Sequence, residues 1–181
     1  MKNLVEYIIH YRSFIGIVCL LLVLYLSEPS PLSVAIGFFF IITGMFFRAW
    51  SSGYIDKNNR LATQGPYSLT RNPLYFGNFV LGLGIAIAGN NFYSYLIFFV
   101  FYLMFFPFLM VIEHNRLKKK FGKDYENWAS DSNSFFPRIK RLKGMGFNIS
   151  YYMKNREYRV LYFSLLVIAI FILKVLKIIK K

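Results

Sequence analysis

Arg71-Asn72-Pro73 and Glu113 are the residues of this 181-residue chain whose types and placing suit chemistry. Pro73 fits the first turn of a helix, where its missing N–H costs nothing, and Gly65-Pro66 upstream makes a turn. Arg71 and Asn72 therefore stand at the mouth of an apolar helix that starts at Pro73. A helix N-terminus with free N–H groups beside an arginine is a ready site for a carboxylate. Tyr67 and Tyr75 offer flat faces and hydroxyls suited to an adenine or a ribose. The same residues also fit an arginine meeting lipid phosphate within an interfacial aromatic belt. Glu113 is the only carboxylate between Asp56 and Asp124, and it follows about twenty apolar residues. An acid there is costly unless partnered, which marks it as a functional candidate. A ligand ammonium or ribose diol would partner it, and so would a salt bridge to Arg71 or Arg116.

Other chemistries find less support. Gly82-Leu83-Gly84 resembles part of a dinucleotide loop but lies inside an apolar run with no strand before it. Close helix packing through Gly84 and Ala88 is the better reading. His10 and His114 lack metal-ligand spacing, and Cys19 stands alone within an apolar block, so no metal site is expected. His114 reads as a solvated histidine at a helix end. No nucleophile–base arrangement stands out.

The elements that must position these residues are membrane spans. The chain is 56% hydrophobic with a mean hydropathy of +0.43, and its apolar residues come in blocks. About 20 helical residues cross a roughly 30 Å hydrocarbon core, and blocks near that size recur. The spans are expected at about 14–26, 32–50, 73–88, 92–112 and 160–179. Ser27-Glu28-Pro29-Ser30-Pro31 ends the first, and Gly89-Asn90-Asn91 joins the third and fourth as a helical hairpin. The expected fold is thus an all-α polytopic membrane helix bundle of about five transmembrane helices, one domain over residues 1–181. The first apolar block reads as a retained helix, because no small-residue cleavage site follows it.

Charge orients the bundle. The formal net charge is +14, carried beside and between the apolar blocks. Lipid headgroups and the positive-inside rule account for it without nucleic acid. Turns 27–31 and 89–92 carry no Lys or Arg, whereas 51–72 carries three and 113–159 carries twelve. The neutral turns are expected outside and the basic segments in the cytoplasm, next to anionic lipid. That places the last helix against the rule, since Lys174, Lys177, Lys180 and Lys181 lie near its end. A spanning helix with snorkelling lysines is favoured over one lying at the interface.

Together these stretches resemble the isoprenylcysteine carboxyl methyltransferase family of integral membrane enzymes. The family's G-x-Y, R-H-P-x-Y-x-G, acidic residue and F-G-x-x-Y appear here as Gly65-Pro66-Tyr67, Arg71-Asn72-Pro73-Leu74-Tyr75-Phe76-Gly77, Glu113 and Phe121-Gly122-Lys123-Asp124-Tyr125. The likeness covers residues 48–128. It implies an S-adenosylmethionine-dependent methyltransferase working at the cytosolic face of a bacterial inner membrane. It also implies that Asn59, Arg60, Leu61 and Ala62 line the cofactor, with Tyr67, Asn72, Pro73, Leu74, Tyr75 and Glu113 completing the pocket. Arg71, Asn72 and Glu113 would be the catalytic set, and Ser52 matches a further contact. The acceptor would be a lipophilic or lipidated molecule entering between helices.

Two departures bear on substrate. Asn72 replaces the family's histidine, and Leu109 stands where eukaryotic members carry a substrate-binding arginine. The acceptor can therefore be a prenylcysteine-type carboxylate or another lipid-like carboxylate, amine or thiol. Two readings of other kinds compete: an NADPH-dependent membrane reductase, and a non-catalytic module that binds lipid or a partner through its basic segment.

Overall fold

A computed structural model describes residues 2–56, 60–139, 142–144 and 146–177. The expectations for Lys57, Asn59, Lys180 and Lys181 lie outside the described residues. Eight helices occur among those described: α1 (Lys2–Leu26), α2 (Pro31–Ser52), α3 (Pro66–Leu69), α4 (Pro73–Gly89), α5 (Phe92–Phe121), α6 (Lys123–Asp131), α7 (Ile149–Lys154) and α8 (Tyr158–Val175). No strand accompanies them among the described residues. The fold is an all-helical polytopic membrane bundle. α2, α5 and α8 are long and apolar enough to cross a membrane, while α4 and the Tyr11–Leu26 part of α1 are shorter apolar helices.

Local chemistry sets the helix ends. Ser30 and Ser33 form a reciprocal capping box before α2, whose first residue is Pro31. Such a cap stabilises a helix start by about 1 kcal/mol. Asn90, left-handed at φ 50°, closes α4, and the Asn91 side chain caps α5. α5 runs well past the expected end at residue 112. Its continuation, Glu113 to Phe121, contains no Gly or Pro, and Gly122 at φ 53° stops it.

α2 and α4 lie backbone to backbone. A Cβ on Gly44 would fall 2.5 Å from the Leu81 nitrogen, and one on Gly84 would fall 2.7 Å from the Gly37 carbonyl oxygen. The expected packing role of Gly84 and Ala88 matches this contact. α5 completes the hairpin through an aromatic core in which Tyr102 stacks on Phe106 at 4.3 Å. Large apolar side chains such as Phe39, Phe46, Leu103, Phe108 and Leu166 stay exposed on the outside, as a lipid-facing surface requires.

The two neutral turns meet at one end of the bundle, where Glu28 N donates to Gly89 O at 2.8 Å and Asn90 Nδ2 donates to Glu28 O at 3.0 Å. α8 runs the full height between the two ends. Glu157, just before it, pairs with Arg48 near the end of α2, while Lys174 reaches the opposite end. Lys174 is bonded at that end. Its Nζ donates to Leu24 O, Ser27 O and Ser27 Oγ at 2.7–2.9 Å and so caps the end of α1. Those carbonyls are orphaned by the helix terminus, and a cation there also suits the helix dipole.

Candidate functional site

At the end of the bundle opposite the neutral turns lies a cavity of about 820 Å³. Ligand pockets commonly span ~300–1,000 Å³. Its wall is built from α1 (Arg12, Ser13, Gly16), the end of α2 (Arg48), the connection to α3 (Ile55, Asp56 and Arg60 to Ala62), the start of α4 (Arg71 to Tyr75 and Asn78), the far half of α5 and Trp128 of α6. The motif residues reach it because α3 and Pro73 turn the chain sharply inward. Pro66, Thr70 and Pro73 are fully buried.

Arg71 stands at the α4 N-terminus. Its Nε is buried and finds no hydrogen-bond partner among the described residues. The rest of its guanidinium faces the Tyr125 hydroxyl, which also meets His114 Nδ1 at 2.9 Å. Burial pushes the Tyr125 hydroxyl up, and the Arg71 charge opposes that shift. His114 is thus half-buried and bonded rather than solvated, and it holds the tyrosine that backs Arg71. The Asn72 side chain leaves the first turn of α4 uncapped, because its Nδ2 donates instead to Ser134 O at 2.9 Å. Arg71 and the uncapped start of α4 therefore lie in the wall of the same chamber.

Glu113 pairs with Arg116 at 2.6 Å, one turn along α5. Arg116 is largely exposed, so this pair is weakly held and leaves the other lone pairs of the carboxylate available. Tyr67 is buried, and burial, reinforced by Glu113, pushes its hydroxyl well above the usual tyrosine range. It stays protonated and serves as a donor, not a base.

Arg60, Leu61, Ala62, Tyr67, Arg71, Asn72, Pro73, Leu74, Tyr75 and Glu113 all line the one chamber, although they come from segments up to about fifty residues apart. Asn59 lies outside the described residues. Ser52 does not face the cavity: it is buried and its hydroxyl donates to Ala49 O. Leu109 is 5% exposed within the aromatic core and is likewise absent from the wall. Sequence reasoning missed Arg12, Arg48, Asn78 and Trp128. Arg48 grips Glu157 in a forked pair and also donates to Asn78 Oδ1, tying α2, α4 and α8 together under the chamber. Charged residues inside apolar runs were the available signal for Arg12 and Arg48. Among the described residues, six cationic side chains line the cavity against two carboxylates, Asp56 and Glu113. Among the described residues no group of three or more His, Cys, Asp or Glu side chains converges as metal ligands would.

Fold and chamber define a polytopic membrane protein with a polar chamber at one end of its bundle. A family model described as phospholipid methyltransferase matches residues 11–124, which takes in the chamber-lining residues of α1, α2, α4 and α5. The chain belongs to the phospholipid methyltransferase family, a family of membrane methyltransferases. It is 34% identical over 119 residues to the cobalt-zinc-cadmium resistance protein CzcN of Cupriavidus metallidurans, covering 64% of this chain and 54% of that protein. Identity is 27% over 116 residues to the nickel-cobalt-cadmium resistance protein NccN of Alcaligenes xylosoxydans xylosoxydans, covering 63% and 54%. It is 33% over 84 residues to the protein-S-isoprenylcysteine O-methyltransferase of Schizosaccharomyces pombe, covering 46% and 36%. The chain thus spans about half the length of the first two relatives. No solved structure matches it.

Proposed function

We propose that the chain is an S-adenosylmethionine-dependent methyltransferase that modifies a lipophilic acceptor at the cytosolic face of a bacterial inner membrane. The observation that carries this reading is Arg71 beside the uncapped α4 N-terminus, in the wall of a chamber that Tyr67, Tyr75 and Glu113 also line. This donor set fits the cofactor's amino-acid carboxylate at Arg71 and α4, and its ammonium or ribose hydroxyls at Glu113. When bound, S-adenosylmethionine supplies a sulfonium methyl as the electrophile. The chain's own residues supply binding, alignment and exclusion of water. Tyr67, held protonated, donates a hydrogen bond, and Asn72, tied to Ser134, positions the chain at the start of α4. The basic segments at this end of the bundle support the cytosolic orientation.

The acceptor side is the opening between α1 and α5. A second, apolar cavity of about 200 Å³, lined by Ile17, Leu20, Ile85, Ile97 and Phe98 among others, shares Gly16 and Phe101 with the chamber. It suits the hydrocarbon part of the acceptor, with the reacting group in the chamber. A Cβ on Gly16 would already meet the Phe101 ring at 3.2 Å. Gly16→Leu is therefore expected to raise the acceptor KM by about ten- to a hundredfold while leaving cofactor affinity unchanged. Equal KM values would remove the acceptor from this groove.

The decisive experiment incubates the purified protein and a native lipid extract with methyl-labelled S-adenosylmethionine and identifies the labelled lipid. Displacement of bound S-adenosylhomocysteine by NADPH, with no labelled product, would reject the reading in favour of a reductase.

A further inference from the structure

The segment after α6 contains no α-helix or strand among its described residues between Ser132 and Asn148, yet several of them are bonded to the motif. Asn133 O accepts from Arg71 N at 2.8 Å, and Arg138 N donates to Leu69 O at 3.0 Å. Lys143 N donates to Ser68 Oγ at 2.9 Å, and Lys143 O accepts from Gly65 N at 2.7 Å. Asn148 N donates to Gly53 O at 3.3 Å. The segment therefore runs antiparallel over Gly65–Asn72 as a strap.

Its depth is given by Phe135. That ring packs against Phe76 and Phe79, each at 5.7 Å, and against Tyr102 at 6.1 Å. Phe79 is six residues into α4, so Phe135 reaches about 9 Å past the helix start, into the apolar height of the bundle. The strap is thereby held at the boundary between headgroups and acyl chains. Its outward side leaves Phe136 67% and Ile139 83% exposed, with Leu142, Phe147 and Ile149 exposed as well. Arg138 and Lys143 are exposed among them. In sequence the stretch between Asp131 and Glu157 holds six Lys and Arg and no acidic residue. Bulky apolar side chains interleaved with cations, at this depth, match an anionic bilayer surface.

We propose that residues 133–149 form an interfacial strap that binds anionic lipid headgroups and thereby holds the Gly65–Asn72 motif in its binding shape. Lipid binding stands on the strap alone, and the coupling to cofactor rests on the function proposed above. The same peptide groups that close the strap also fix Arg71 and Asn72. Seating the strap in the membrane therefore stabilises the chamber wall, and lifting it loosens the wall.

The test uses the full chain in nanodiscs of phosphatidylcholine alone or mixed with phosphatidylglycerol. Amide hydrogen exchange in 64–72 and 133–149, and affinity for S-adenosylhomocysteine, are read in both. Phosphatidylglycerol is expected to slow exchange in both segments roughly tenfold and to tighten cofactor binding, with high salt reversing the two effects. The double variant Ile139→Glu, Arg138→Gln should lose the phosphatidylglycerol response while matching the parent's melting temperature in detergent. Exchange that is equal in the two membranes, or a lipid response that survives in the variant, overturns the proposal. Protection that follows protein concentration instead of phosphatidylglycerol makes the strap an interface between copies and also overturns it. Slowed exchange with no cofactor binding in either membrane would uphold lipid binding by the strap and reject the methyltransferase reading.

Discussion

Arg71→Ala is expected to weaken binding of S-adenosylmethionine and its demethylated product by roughly ten- to a hundredfold. A hydrogen bond to a charged group contributes about 1.5–3 kcal/mol net, and each 1.4 kcal/mol is tenfold in affinity. Arg71 lines the chamber wall and its guanidinium also meets the Tyr125 hydroxyl, so its loss falls on the ligand and on the placing of Tyr125. Tyr125→Phe separates the two roles. If Arg71 serves the cofactor, Tyr125→Phe weakens binding severalfold through misplacement, whereas Arg71→Ala removes the contact. Glu113→Gln should give a loss of similar size to Arg71→Ala with the fold intact, because the ion pair it makes among the described residues is with a solvent-exposed arginine. Calorimetric titration in detergent reads all three. Unchanged affinity in both Arg71→Ala and Glu113→Gln would move the cofactor out of this chamber.

Gly44→Val is expected to abolish the folded bundle. A single Cβ at this position lies 2.5 Å from the Leu81 nitrogen and 2.7 Å from the Gly77 carbonyl oxygen. These are backbone atoms within α4, so no side chain can swing aside to relieve the contact. Overpacking costs about 1–3 kcal/mol where neighbours can adjust, and more where they cannot. Separating the helices at Gly44 also draws Arg48, one turn further along α2, away from Asn78 and the chamber floor. The expected result is loss of monodisperse protein in detergent. Ile42→Val, on the exposed face of α2, should leave yield and melting temperature unchanged and serves as the control. A well-behaved Gly44→Val protein would show that α2 and α4 are not in contact as described.

Most of the bundle was legible because each apolar block is itself a span. α2 and α4 begin at prolines, and the α4–α5 turn is announced by Gly89-Asn90-Asn91. The α5 extension was less legible: Glu113 to Phe121 turns polar, which reads as leaving the membrane but says nothing about whether the helix continues. The motif residues of the chamber could be gathered because Gly65, Arg71, Pro73 and Glu113 keep a recognisable order. Arg12 and Arg48 belong to no such order. They meet the chamber only because α1 packs on α5 and α2 packs on α4, which is tertiary information. The strap was invisible for a related reason. Its bonds are largely backbone groups pairing with a loop more than sixty residues away, and backbone pairing of that kind leaves no periodicity in the side chains.

Lys174 has a consequence for how the chain is made. Its ammonium must be drawn through the hydrocarbon to the end of the bundle distant from the chamber, and its three oxygen partners there are all supplied by the end of α1 and the turn after it. During synthesis α1 emerges long before α8, so the receptor for that charge is already in place when α8 arrives. The contact that closes the far end of the bundle thus joins the first helix made to the last.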